Sequence, residues 1–255
     1  MKALILNSGV GTRMGALTAN QPKCFTEVSS TETIISRQLR QVEEVGIKNV
    51  VITTGPFDDD LRNYCNSLDF DLDIQYVNNP KFKETNYLYS IYAARKYLDD
   101  DILLMHGDLV FENEVLDSVL NSKNSVMTTS SSVPLPDKDF KAVIKDGRIE
   151  KIGIEFFDNS VSAQPLYKIN HSDWRKWLDS IISFCEKEVV GCYAENAFNA
   201  VSGYCNIYPL DIKDALCNEI DTPDDLRIVV KRLKEVMKRS VYMCFSSDIL
   251  HSGHM

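Results

Sequence analysis

The sequence predicts an α/β protein whose mostly parallel sheet is covered by helices. Two observations carry this reading. Apolar runs alternate with segments of helical periodicity through the first hundred residues, and two of the runs, Ala3 to Leu6 and Ile102 to Met105, are continuous. Continuous runs mark strands buried on both faces, and repeated β-α-β order implies parallel strands joined by crossover helices.

Each element follows from its own residues. Ala3 to Leu6 is the first strand, and a Gly-rich stretch from Ser8 to Gly15 follows it. Ile34, Ile35, Leu39, Val42 and Val45 recur at helical spacing, and Gly46 supplies a stop. Asn49 to Thr53 is a strand, Asp58 to Leu68 a helix, Leu72 to Val77 a strand and Tyr87 to Leu98 a helix. Ile102 to Met105 then runs into His106-Gly107-Asp108. After Asp108 the rhythm changes. Ser125 to Ser130 is strand-like, and Ala142 to Ile154 reads as a hairpin turning at Asp146-Gly147. Trp174, Leu178, Ile181, Ile182 and Cys185 form a helical stripe. This half is expected to extend the sheet and close one end of a pocket. In EIDTPDDL, Thr222 is a cap, Pro223 the first helical residue and Asp225 the third position after the cap, so a last helix is expected to run to about Arg239. There is no internal repeat and no low-complexity linker.

Composition bounds the function. The chain has 255 residues, 44% hydrophobic and 25% charged, which suits one large folded domain. A net charge of −9 disfavours nonspecific binding to nucleic acid or anionic membrane, so neither is expected as a partner. No apolar run approaches the roughly 18 residues needed to span a bilayer, and the first run stops at Asn7-Ser8-Gly9 rather than forming a signal peptide. Seven cysteines without a C-x-x-C pair read as reduced thiols. The expectation is a soluble cytoplasmic protein.

The most informative segment is LILNSGVGTRMGALTANQPKCFTEV, residues 4–28. Glycines directly after a strand let backbone amides approach an anion, and Arg13 and Lys23 add positive charge for a polyphosphate. No Gly-Lys-Ser/Thr follows, so it is not a Walker loop. No third glycine opens a helix in step, so it is not a dinucleotide fingerprint. A second signal is Asp108, which follows a buried strand at the end where ligands bind in open α/β sheets, and whose carboxylate suits Mg²⁺.

The strand, Ser8-Gly9-x-Gly11-Thr12-Arg13 and Pro22-Lys23 together resemble the signature of sugar-phosphate nucleotidyltransferases. The resemblance covers most of residues 1–238 and is strongest in 1–55 and 86–111. It implies a Rossmann-like fold with a mostly parallel, mixed sheet, and a loop that wraps the triphosphate of an NTP. Gly9, Gly11, Thr12, Arg13 and Lys23 take the phosphate-binding roles, Arg13 and Lys23 being catalytic, with Leu6 and Ser8 also at the nucleotide. Asn7 departs from the usual Ala. Asp108 matches the metal-binding acid of this family, and Asp221, before the last helix, matches the second. Asp221 read by itself merely precedes the cap at Thr222. With Mg²⁺ bridging two acids and the triphosphate, an anionic acceptor oxygen attacks the α-phosphorus and pyrophosphate leaves.

Sugar-specific relatives usually carry a different, Gln- and Gly-containing segment where this chain has ETNYLYSIYAA, residues 84–94. Its N-x-x-Y-S-I-Y core is similar to choline-phosphate and phosphonate cytidylyltransferases, which implies CTP. Asn86 and Ser90 are then nucleotide contacts and Tyr87 an acceptor contact, although Tyr89 and Tyr92 read equally as helix core. By the same resemblance the acceptor lies near Tyr193 and Glu195. Glu195 either pairs with an ammonium head, with Tyr193 offering a cation–π face, or is an exposed acid on a helix turn. Lys168 either meets the acceptor's anionic group or is a solvated surface lysine. His106 reads as a neighbour of Asp108 rather than a general base.

The last segment, VYMCFSSDILHSGHM, resembles the opening of a different nucleotidyltransferase-like fold with an H-x-G-H signature. It is also similar to the start of modules joined to phosphonopyruvate-forming mutases. Residues 1–239 are therefore expected to be the nucleotidyltransferase domain, and 240–255 the start of a further domain in a longer fusion protein. The expected activity is transfer of CMP from CTP to a small phosphonate, with 2-aminoethylphosphonate preferred. The alternatives are a choline-phosphate cytidylyltransferase and a silent nucleotide-binding module. One acid with few aromatics at the acceptor head favours the amine, and a cage of aromatics favours choline.

Overall fold

The computed structural model describes residues 1–237, and the expectations for residues 238–255 lie outside them. Four parallel strands form the frame: β1 (Lys2–Asn7), β2 (Asn49–Thr54), β3 (Asp73–Asn78) and β4 (Ile102–His106). The connecting helices are α1 (Ile34–Glu44), α2 (Asp58–Ser67) and α3 (Tyr87–Ala94). β1 pairs with β2 on one side and β4 on the other, both in parallel. The chain thus winds outward from β1 through β2 to β3, then returns to lay β4 on the opposite side. This reversal opens a crevice beyond the carboxyl ends of β1 and β4, the usual ligand position in such sheets.

Alternation in β1 explains the layers. Leu4 and Leu6 join the core beneath α3, whereas Ala3 and Ile5 join the core beneath α1 and α2. Helix α1 begins with a capping box between Thr33 and Ser36. It ends where Gly46 adopts a φ of 78°, with Gly46 N–H donating to Glu43 O and Ile47 N–H to Val42 O. That is the paired bonding of a Schellman stop, which needs a left-handed residue.

The second half completes the sheet: β5 (Leu109–Phe111), α4 (Asn113–Asn121), β6 (Ser125–Ser130), β7 (Lys141–Lys145), β8 (Arg148–Gly153), β9 (Ser160–Ile169), α5 (His171–Glu186), α6 (Ala194–Asn199), β10 (Ile207–Asp211), β11 (Cys217–Glu219) and α7 (Pro223–Met237). The sheet order is β10-β6-β9-β4-β1-β2-β3, with the β7–β8 hairpin attached to β9. The hairpin turns at Asp146 and Gly147, both with positive φ (51° and 76°), as a two-residue turn between twisted strands requires.

Strand β9 is central and runs antiparallel to β4 and β6. Its sequence, SVSAQPLYKI, carries polar residues and a proline, which normally argue against a central strand. The proline is tolerated because the register against β6 shifts between Met127 and Thr129. Three residues of β9, Gln164 to Leu166, there face the single Thr128 of β6, and Pro165 lies in this bulge. The short β5–β11 ladder is also unforeseen, and it matters most for the site. No helix of the described residues is long and apolar enough to cross a membrane.

Candidate active site

The β1–α1 connection builds the first wall. Gly11 takes a φ of 69°, and a Cβ there would press on Lys23 Cβ at 3.0 Å. The absent side chain thus allows Lys23 to pack across the loop. Thr18 Oγ1 donates to Gly11 O at 2.7 Å and ties the loop to the turn that follows it.

The second wall is the β4–β5 turn carrying Asp108. Gly107 N–H donates to Leu6 O at 2.9 Å, which extends the β1–β4 pairing one residue past the strands. A Cβ on Gly107 would overlap the Asn7 amide, so any other residue there requires the Asn7 side chain to move. From behind, Gln38 of α1 is 1% exposed, and its Nε2 donates to His106 O (2.9 Å) and Leu109 O (2.8 Å), bracketing the turn. The third wall comes from the far end of the chain. Ile220 N–H donates to Asp108 O at 2.9 Å, which sets Asp221 beside Asp108. The α7 capping box then engages Asp225 rather than Asp221: Asp225 Oδ2 accepts from Thr222 N–H at 2.7 Å and Asp221 N–H at 3.1 Å.

Lys23 Nζ lies 2.6 Å from both Asp108 Oδ2 and Asp221 Oδ1, and Arg13 is 2.8 Å from Asp221. Burial opposes the charge on Lys23, but the two carboxylates outweigh it and hold its pKa above the ordinary lysine value. Burial likewise opposes the charge on Asp108, yet Lys23 and His106 bring its pKa below the usual range. The Oδ1 atom of Asp108 is buried with no hydrogen-bond partner. Two carboxylates converging on one cation, with a buried oxygen left open, fit a hard divalent ion. Further in, His106 Nδ1 lies 2.8 Å from Glu219 Oε1. Burial disfavours a proton on His106, but Glu219 prevails and lifts the ring to about 9. Burial and the neighbouring Asp108 push Glu219 up to about 7, against the pull of His106. Donor atoms of His106, Asp108 and Glu219 all lie within 4.8 Å of one another.

Three cavities meet at Asp108. One of about 260 Å³ is lined by Leu6, Asn7, Gly9, Gly11, Thr12, Arg13, Pro22, Lys23, Gly107, Asp108 and Asp221. A second of about 180 Å³ is bordered by Leu6, Ser8, Gly9, Asn79, Phe82, Thr85, Asn86, Tyr87, Ser90, His106 and Asp108. A third of about 250 Å³ is bordered by Arg13, Asn86, Tyr87, His106, Asp108, Lys138, Asp139, Phe140, Ile154, Tyr193, Glu219 and Asp221. Ser8 Oγ and His106 Nε2 are buried without partners beside these spaces, as expected where a ligand completes the bonding.

Residues 3–142 match the MobA-like NTP transferase domain. The chain belongs to this family. Among relatives of the MobA-like chain, a CMP-5'-(3-aminopropyl)phosphonate synthase from Streptomyces rubellomurinus is 26% identical over 239 residues, covering 89% of this chain but only 38% of the relative. A CTP:phosphoglutamine cytidylyltransferase from Campylobacter jejuni is 24% identical and covers 91% of this chain and all of the relative (100%). A choline-phosphate cytidylyltransferase from Streptococcus pneumoniae is 24% identical, covering 93% and 99%. Among solved structures, the inositol-1-phosphate CTP transferase from T. maritima superposes with a TM-score of 0.77 at 21% identity, covering 94% and 98%. The CTP:phosphocholine cytidylyltransferase from Streptococcus pneumoniae gives 0.71 at 19%, covering 93% and 99%. The chain shares the Rossmann-like fold of these neighbours. The family match ends at Ala142, so β8, β9, α5 and α6 lie beyond it.

Leu6, Ser8, Gly9, Gly11, Thr12, Arg13, Lys23, Asn86, Tyr87, Ser90, Asp108, Tyr193 and Asp221 all border the three cavities that meet at Asp108. Two residues fall elsewhere. Lys168 pairs with Leu103 near the amino end of β4, because β9 is antiparallel, and its ammonium donates to the Leu120 and Ser122 carbonyls at the end of α4. It is therefore neither at the acceptor nor a solvated surface lysine. Glu195 is 1% exposed and neither borders these three cavities nor stands free in solvent. Both its oxygens are engaged by the Tyr87 and Tyr167 hydroxyls. Sequence reasoning missed Asp139, Phe140 and Glu219. Glu219 opens the recognised EIDTPDDL string, but Asp139 and Phe140 sit in a loop without a distinguishing pattern.

Proposed function

We propose that this chain transfers CMP from CTP to a small phosphonate, with 2-aminoethylphosphonate preferred, releasing pyrophosphate. The observation that carries this reading is the convergence of three cavities on Asp108. The glycine-loop cavity takes the triphosphate, the cavity at Asn86 and Ser90 the nucleoside, and the cavity at Phe140 and Tyr193 the acceptor. Choice of CTP rests on the Asn86–Tyr92 pattern and on relatives named for CTP or CMP chemistry.

Asp108 and Asp221 would hold Mg²⁺, which supplies charge neutralisation at the phosphates when bound. An acceptor phosphonate oxygen forms a bond to the α-phosphorus while the bond from that phosphorus to the α–β bridging oxygen breaks. The bridging oxygen keeps the electron pair and departs within pyrophosphate. The attacking oxygen is already anionic, so no residue needs to remove a proton. Arg13 and Lys23 neutralise the developing charge, and the cavity walls hold the reactants in line.

A half-buried acid favours the amine acceptor. Asp139 reaches the acceptor cavity, where burial and the neighbouring Asp221 and Asp225 raise its pKa. One observation favours the second reading, phosphocholine: Tyr87, Phe140 and Tyr193 form a continuous aromatic wall, with centroids 5.8 Å apart for Tyr87–Tyr193 and 5.3 Å for Phe140–Tyr193. The convergence of Arg13, Lys23, Asp108 and Asp221 argues against a silent module.

The deciding experiment is pyrophosphate release with CTP and Mg²⁺, comparing 2-aminoethylphosphonate with phosphocholine. Turnover with the phosphonate is expected. Turnover with phosphocholine alone would move the acceptor to the second reading, and silence with both would overturn the assignment.

A further inference from the structure

Tyr87 stands where two of the cavities meet, bordering both the nucleoside side and the acceptor side. Its ring packs edge-on against His106 at 4.7 Å and tilts against Tyr193 at 5.8 Å. Its hydroxyl donates to Glu195 Oε2, while Tyr167 donates to Glu195 Oε1 at 2.8 Å. Burial, then the carboxylate, hold both phenols well above the ordinary tyrosine value, so both keep their protons. Among the described residues no cation pairs with Glu195, and two phenol donors satisfy its two oxygens. The helix carrying Glu195 is itself fixed. Trp177 Nε1 donates to Ala194 O and Ser180 Oγ to Ala197 O, each at 2.8 Å.

We infer that Glu195 is a positioning residue that fixes the Tyr87 ring as the partition between nucleotide and acceptor. This rests on the acceptor cavity proposed above. Glu195 acts through Tyr87 rather than by touching the acceptor amine. A ring free to swing would loosen the acceptor wall, and displacements of about 1 Å at such sites have large effects.

Glu195→Gln keeps the shape but turns one oxygen into a donor facing a phenol, and Tyr87→Phe keeps the ring and removes its bond. With CTP, Mg²⁺ and the acceptor that the wild type turns over, each variant is expected to raise acceptor KM about tenfold while CTP KM stays within about twofold. The double variant is expected to be no worse than the more affected single variant. Equal rises in both KM values, or additive losses, would overturn the inference. If Glu195→Gln fails to fold, Tyr87→Phe, which leaves Tyr167 on the carboxylate, carries the kinetic test alone. Fluorine NMR of protein containing 3-fluorotyrosine needs no acceptor. The Tyr87 resonance, identified by its loss in Tyr87→Phe, is expected to shift and broaden in Glu195→Gln, or in Glu195→Asp should the former not fold. Silence of the wild type with both acceptors would count against the proposed function, while an unchanged Tyr87 resonance would overturn the positioning role.

Discussion

The glycine-loop cavity and the cavity at Phe140 and Tyr193 share Arg13, Asp108 and Asp221 but are built in opposite ways. The first draws most of its lining from one stretch of chain, Leu6 to Lys23, where glycines and two cations do the work. The second gathers side chains from Asn86 and Tyr87, from residues 138–140, from Ile154, Tyr193 and Glu219. A contiguous loop states its chemistry in local spacing. A wall assembled from remote segments exists only after folding. The family match, residues 3–142, takes in all of the first lining except Asp221, and leaves Ile154, Tyr193, Glu219 and Asp221 of the second outside it.

The largest effect should come from the contiguous side. Lys23→Ala is expected to lower kcat/KM by about a thousandfold, because it removes a preorganised charge from the proposed phosphate site. Steady-state pyrophosphate release measures this, and a loss below tenfold would break the assignment. Gly107→Ala is expected to destabilise the fold by about 3 kcal/mol through overlap with Asn7. Denaturant unfolding reads the loss, and Asn7→Ala in the same chain is expected to recover a substantial part of it.

The remote side should respond more selectively. Tyr193→Ala is expected to raise acceptor KM about tenfold and leave CTP affinity unchanged, as seen by titration calorimetry with CTP. A parallel loss of CTP affinity would merge the two cavities into one functional unit. The smallest effect belongs to Lys168→Met. It should leave both KM values unchanged and cost about 1 kcal/mol of stability, from the lost bonds to the end of α4.

The same contrast explains what the sequence disclosed. Strands β1 to β4 and their helices were legible because continuous apolar runs and helical periodicity are local signals. Gly11, Lys23 and Asp108 were legible because they directly follow strand ends or share one loop. β9 was not legible, since Pro165 and its polar neighbours argue against a central strand until the bulge opposite Thr128 is known. Lys168 and Glu195 were placed by type and neighbourhood. The direction of β9 puts Lys168 at the wrong end of the sheet, and packing of α6 on α5 turns Glu195 inward. Neither fact has a signature shorter than the whole topology.

The ammonium of Lys23 joins two acids of very different origin. Its bond to Asp221 spans 198 residues, almost the full described chain. A contact of such separation forms late, because the entropy of closing so long a loop must be met by packing already in place. During synthesis the glycine loop emerges early, but its second carboxylate follows only after nearly every other strand has been made. A shortened chain ending before β11 would present the loop without Glu219 or Asp221, and so without the acids that complete its charge pattern. The loop's full charge pattern is thus withheld until translation has passed Asp221.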